Sequence, residues 1–477
     1  MRWFARRTTP VMPRSMLVAA LVAVAVSTAS SRAGAQSRID AAVGPIEQHH
    51  LDNGMTVVIQ EDHRVPLVSL AIRYDDSAAP PGLHATATLT TFLMLAATKH
   101  VAAGDYYRLL ARAGATGTAD RTQPSATTLE VTVPSNHLAL PLWLWSEQMG
   151  YFNAALDDTQ LAAQRSKLRD QRRVSLEGSP MARVDAIAME ELYPVEHPYH
   201  AVEFTPQDVE HIDRPAVLAF HDAWMTPAHA TLVIVGDVVP ADATALVEKY
   251  FATIPKGAAP QAPASPPLEA LAGETQVDVA ANVPRAQVFL RWRTPRMLTS
   301  EDARLDVVAR LLGGSRTAWL FWKLVDEKKV AVNVMTHQRS DALGSQFEIR
   351  IEGANGKTAK EILAAFDAAM VDIRQREPSK KELAGAIYET VIDRFLALER
   401  PPTRAFDFAR TSTLAESPDV TKHDLGRYGR VDAGHVRDAV VKFLPSDRRV
   451  VLLVTPTPGA PAGGQRVGRR VTQATTP

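Results

Sequence analysis

The chain has 477 residues, 46% of them apolar and 22% charged, the composition of a folded chain too long for one ordinary core. Its formal charge is zero and its basic residues form no stripe, which excludes a nucleic-acid-binding face. There is no cysteine, which excludes disulfides, thiolate metal sites and a lipid anchor on Cys.

The N-terminus reads as an export signal. Arg2, Arg6, Arg7 and Arg14 precede the apolar run Leu17 to Val26, and Ala33-Gly34-Ala35 is a small-x-small site with cleavage expected before Gln36. The run is short for a membrane span, although an uncleaved anchor is the alternative. Arg6-Arg7 is followed by Thr-Thr-Pro and does not make a twin-arginine signal. Removing the five arginines before residue 36 from the 53 basic residues leaves 48 against 53 acidic ones, a net of −5. These features predict a periplasmic or secreted protein with no integral membrane segment after cleavage.

An extended lead-in at 36–48 is followed by the turn signal Asp52-Asn53-Gly54, a strand Thr56 to Ile59, and a second strand Leu67 to Tyr74 after Pro66. Helices are predicted at 85–98, 104–113, 136–150, 157–176 and 206–224, with a strand at 129–133 ending at Pro134. Thr231 to Val235 reads as a buried strand, and a helix follows at about 240–252. Residues 256–273 are dense in Pro and Ala and read as a semi-rigid interdomain linker. Strands are then expected at 277–279 and 286–292, and helices at 300–312 and 316–328. Strands at 330–335 and 346–351 follow, then helices at 358–375, 379–398 and 433–443 and a strand at 450–454. Val68 to Arg73 and Val288 to Arg293 sit at matching points of the two halves, a hint of duplicated architecture. Residues 457–477, rich in Gly, Pro, Arg and Thr, read as a disordered tail.

Several landmarks occur in a fixed order. They are Leu51-x-Asn53-Gly54-Met55, Asp62-His63-Arg64-x-Pro66, Pro80-Pro81-Gly82, Ala103-Gly104-Asp105-Tyr106 and His197-Pro198-Tyr199. Pro227-x-x-Ala230-Thr231-Leu232-Val233-x-Val235-Gly236-Asp237 and Leu311-Leu312-Gly313-Gly314 with Trp319-Leu320-x-x-Lys323-Leu324-Val325 complete the series. Over nearly all of its mature length the chain thereby resembles the M16 (insulinase, pitrilysin and processing-peptidase) family. The resemblance implies an α+β fold of two related domains, 36–255 and 274–456, each a mainly antiparallel sheet covered by helices. Small members pair two chains into a clam-shell chamber, so it also implies a dimer, often a heterodimer.

Active members carry His-x-x-Glu-His on a helix. Residues four apart share a helical face, so both imidazoles reach one zinc while the Glu serves as general base. Placed on this chain by Pro80-Pro81-Gly82 and Ala103-Gly104-Asp105, the two ligand positions fall on Thr88 and Phe92 and the base position on Thr91. A shifted register gives Thr91, Met94 and Leu95. In either register no His, Asp, Glu or Cys lies between His84 and His100. The third-ligand position falls on Gln171, beside Asp170, and a neutral amide oxygen is a poor zinc ligand. The Arg and Tyr with which many active assemblies grip substrate correspond to Val325 and Val332. No zinc is therefore expected at that location, although zinc serves the active relatives.

The remaining histidines have plain readings. His197-Pro198-Tyr199-His200 has metal-like spacing, but Pro198 argues for a structural loop. His49-His50 and His63 read as solvated or turn residues, and His221 and His229 as surface or capping residues. Glu190-Glu191 diverge on a helix and read as a solvated face. Trp143 and Trp145 read as packing, and Gly313-Gly314 lacks the Lys-Ser/Thr of a phosphate loop. Three functions follow. The first is a non-catalytic M16-type subunit that pairs with an active zinc peptidase paralogue and binds extended peptides. The second is an active zinc metalloendopeptidase with unusual ligands drawn from His84, His100, His197 or His200. The third is a stand-alone peptide-binding or structural core-type protein.

Overall fold

The structure is a computed structural model that describes residues 44–178, 182–200, 204–259, 268–415, 420–461 and 463–474. The expected export signal at 1–35 and the linker residues 260–267 lie outside the described residues.

The fold is α+β, with two six-stranded mixed sheets. The first sheet holds β1 (Glu47–His50), β2 (Thr56–Glu61), β3 (Leu67–Asp75), β4 (Thr116–Gln123), β5 (Ala126–Pro134) and β6 (Ala230–Gly236), in the order β1-β2-β6-β3-β5-β4. The second holds β7 (Gly273–Ala281), β8 (Gln287–Thr294), β9 (Ala331–Arg339), β10 (Ser345–Gly353), β11 (Val450–Pro456) and β12 (Gln465–Gln473), in the order β12-β7-β11-β8-β10-β9. Only β2 with β6 and β7 with β11 pair in parallel; the other pairs are antiparallel. Five of the six positions correspond strand for strand, the architectural form of the weak internal repeat, while the outermost place is taken by β1 in the first sheet and by the late β12 in the second.

Helices cover one face of the first sheet. They are α1 (His84–Ala96), α2 (Asp105–Arg112), α3 (Ala139–Tyr151), α4 (Asp158–Gly178), α6 (Pro206–Glu210), α7 (Arg214–Trp224) and α8 (Pro240–Phe251). One side of β3 (Val68, Leu70, Ile72, Tyr74) and of β5 (Leu129, Val131, Val133) joins their apolar faces in one core. The second sheet carries α9 (Ser300–Leu312), α10 (Trp319–Phe321) with a π-helical turn over Trp322–Glu327, α11 (Ala359–Gln375), α12 (Lys380–Leu398), α14 (Val420–Tyr428) and α15 (Ala433–Phe443).

The other face of each sheet is closed by a helix from the opposite half. In α5 (Ala182–Leu192), Val184, Ile187, Ala188 and Leu192 pack on Val277, Val279, Phe289 and Leu452 of the second sheet. In α13 (Pro401–Ala415), Ala405, Phe408 and Ala409 pack on Val58, Ala71, Val233 and Val235 of the first. Arg404 at the start of α13 is ion-paired with Asp62 beside β2, and Arg64 reaches Glu399 at 3.0 Å.

Four expectations need correction. The helix read at 206–224 is two, because Asp213 caps a new helix through the Ala216 N–H at 2.9 Å and Pro215 suits its first turn. The helix read at 316–328 begins at Trp319 and passes into the π-helical turn. The linker gives way to β7 at Gly273, where a Cβ would meet the Thr472 carbonyl at 2.0 Å, so only glycine admits the neighbouring strand. That neighbour is the fourth correction: the tail at 457–477, read as disordered, contains β12, paired to β7 along its length. Arg466 to Glu190 at 2.9 Å and Arg469 to Glu191 at 3.0 Å tie β12 to α5, so the glutamates read as a solvated face are ion-paired.

Candidate functional site

Helix α1 lies against α4, α7 and β4. Its sequence contains neither Gly nor Pro, and Leu89, Leu93 and Leu95 anchor it in the core. This is the helix on which the resemblance places a metal. The Thr88 hydroxyl donates to the His84 carbonyl at 2.8 Å, and the Thr91 hydroxyl donates to the Ala87 carbonyl at 2.9 Å. Both side chains thus back-bond to their own helix. Phe92 is partly buried on the core, and the Lys167 ammonium on α4 sits 5.4 Å from its ring centroid. Gln171, one turn beyond Lys167, is exposed. A cation on an aromatic ring, two hydroxyls bonded to their own helix and a solvated amide do not fit zinc.

The four alternative histidines serve other ends. His84 is held neutral, its pKa pushed down to about 4 by burial and then by the nearby Arg172 charge, and its ring meets Phe204 edge-on at 5.6 Å. It lines a void of about 20 Å³ with Asp76, whose pKa is pushed up to about 8 by burial and then by the Asp75 charge. That void has room for about one water and no substrate. His100 Nδ1 contacts Glu147 at 2.9 Å. His197 is fully buried and stacked on Tyr193 at 4.7 Å; its Nδ1 accepts the Tyr199 N–H at 3.1 Å, and burial lowers its pKa. His200 Nδ1 donates to the Tyr193 carbonyl at 2.7 Å. Among the described residues no three His, Asp or Glu side chains come together in a way that could hold a metal.

Val325 is half-buried against the core of the second sheet, and Val332 is exposed on β9; neither offers a polar atom to a substrate. Of the residues singled out by resemblance, Thr88, Thr91 and Phe92 share α1, while Gln171 lies on the adjacent α4.

One accessible binding feature was not predicted from sequence. Strand β4 ends the first sheet, pairs only with β5 among the described residues, and is mostly exposed. It lies beside α1, and among the described residues no strand pairs with the backbone N–H and C=O groups of its outer edge. Its sequence, Thr116-Gly117-Thr118-Ala119-Asp120-Arg121-Thr122-Gln123, has no apolar alternation, because an edge strand with a solvated face needs none.

A model of the peptidase M16 inactive domain matches residues 211–388, a span that begins after α1. The zinc protease PqqE of Helicobacter pylori is 25% identical over 348 residues, which are 70% of this chain and 76% of that protein. The crystal structure of a protease from Helicobacter pylori matches with a TM-score of 0.78 at 20% identity, over 86% of this chain and 100% of that one. A peptidase M16 inactive domain from Pseudomonas fluorescens matches with a TM-score of 0.74 at 16% identity, over 87% of this chain and 98% of that one. The periplasmic protease PqqL from Escherichia coli matches with a TM-score of 0.68 at 15% identity, but this chain spans only 48% of its length.

Proposed function

From the premise that the chain is an M16-type, peptidase-like protein, we propose that it is a non-catalytic, exported subunit which pairs with an active zinc-bearing paralogue and binds extended peptide. The observation that carries this reading is the pairing of a chemically spent α1 with an open β4. The hydroxyls of Thr88 and Thr91 are satisfied within their helix, yet the strand beside them keeps an unpaired edge. Strand addition uses that edge for affinity and leaves cleavage to the partner. The zinc in the name of the Helicobacter relative is not carried over, because α1 offers no donor set for it. A periplasmic location is proposed from the arginine-led, apolar N-terminus of the sequence, with the periplasmic Escherichia coli neighbour as support.

Co-expression with an active M16 paralogue from the same genome tests the pairing. Co-elution, with peptidase activity higher than that of the paralogue alone, is the expected result. Separate elution together with full activity of the lone paralogue would sink the subunit reading. The purified chain, stripped and reloaded at neutral pH, should hold less than roughly a tenth of an equivalent of zinc. A full equivalent would bring back the metallopeptidase reading.

A further inference from the structure

A second cavity, of about 310 Å³, lies where the two halves meet, at the lower end of the range for small-ligand pockets. Its walls come from β3, α5, α13 and the β9–β10 hairpin, and Gln123 and Pro124 bring in the end of β4 and the turn after it. Three guanidiniums line it. Arg339 is already paired with Glu348 at 3.0 Å. Among the described residues neither Arg73 nor Arg410 makes a direct ion pair, although the charges of Asp75, Asp341 and Asp76 act on Arg73 from farther off. Arg73 is only 4% exposed, its Nη1 reaches the Thr128 hydroxyl at a long 3.4 Å, and its Nε has no partner. Arg410 is half-buried and donates to the Ser340 carbonyl. The one acid in the wall is Asp341, whose Oδ1 accepts the Ala342 N–H at 2.7 Å.

A buried guanidinium without a direct, hydrogen-bonded ion pair is costly, and a cavity of this size beside it gives a ligand the means to compensate it. The planar fork of arginine fits a planar two-oxygen anion. Met189, Tyr193 and Phe406 add apolar wall suited to an organic ligand rather than a bare inorganic ion. We infer that this interdomain cavity binds a carboxylate of an extended peptide, with Arg73 and Arg410 as its ligands. The inference rests on the peptide-binding reading of β4 above, because the strand runs into the cavity wall at Gln123. The carboxylate is either the peptide's C-terminus or an Asp or Glu side chain near it.

The test uses the full mature chain and a short acetylated peptide of alternating Thr and Val, titrated calorimetrically as its free acid and as its C-terminal amide. The amide is also made with Glu or with Gln at the last position. The expected result is a preference of at least about tenfold for the free acid, or for Glu over Gln, the first assigning the terminal and the second the side-chain source. Arg73→Gln and Arg410→Gln should each reduce that preference while leaving binding of the neutral amide unchanged. If Arg73→Gln does not fold, Arg410→Gln carries the test alone. Equal binding of all four peptides, or a preference that survives both substitutions, overturns the cavity assignment and leaves strand addition standing. No binding of any peptide overturns both.

Discussion

Arg73 on β3 and Arg291 on β8 occupy the same kind of place. Each is buried on the sheet face that the opposite half's helix closes, and the two strands hold the same position in the order of their sheets. Their surroundings differ. Arg291 is bound by Glu348 at 3.1 Å, by Asp185 of α5 and by Gln346 at 2.8 Å. Arg73 has a distant threonine hydroxyl and an open cavity. A buried charge whose partners are all internal holds the structure together. One whose partners are missing has kept its capacity for something outside the chain.

The largest expected effect tests the helices that create these two environments. Phe408→Ala removes the apolar anchor of α13 from the first sheet and should cost about 3–5 kcal/mol in urea unfolding. A loss below about 1 kcal/mol would mean that α13 does not close that face. Next, Arg291→Met should cost about 3 kcal/mol, since it strands the nearly buried Glu348 with Arg339 as its remaining partner. The matching Arg73→Met should lie within about 1 kcal/mol of the parent, or above it, because no ion pair is lost. Similar costs for the two methionine variants would erase the contrast between the arginines.

A pH measurement examines the same region from its acidic side. Asp76 has a folded-state pKa of about 8, above its ordinary value of 3.8, so between those values the folded chain keeps a proton that the unfolded chain has released. That contribution to stability is fully present below about pH 4 and is lost as pH rises through about 8. Asp76→Asn should flatten this part of the stability profile, and an unchanged slope would place the effect elsewhere. The smallest expected change is that of Thr91→Val, below about 1 kcal/mol, because its hydroxyl bonds mainly within its own helix at 2.9 Å and meets the Thr122 hydroxyl of β4 only at a long 3.4 Å.

Strands whose apolar residues run long were legible in the sequence: β2, β3, β6 and β8 fall where they were read, as do α9, α11 and α12 with their capping threonines and serine. The segments that escaped were those whose reason for folding lies in the other half of the molecule. Helix α13 opens on Pro401-Pro402, which reads as a break although a first helical turn tolerates proline, and its partner face is the distant β3 and β6. Helix α5 likewise buries its apolar side on the second sheet and not on a neighbour in sequence. Strand β12 is basic and mostly exposed, and only pairing with β7 and the glutamates of α5 gives it a place. That Thr88, Thr91 and Phe92 share one helix was open to sequence reading because the stretch is local and free of Gly and Pro. The Arg73 cavity was not, since its walls come from five separate stretches of chain.

Strand β12 also bears on how the protein is made. The second sheet acquires its edge strand from residues 465–473, near the end of the sequence. During synthesis β7 is therefore translated well before its outer partner, and its edge stays unpaired while the rest of the second sheet is being built. The outer edge of β7 is thus closed by a segment far along the chain from it, and a change that loosens β12 reopens that edge.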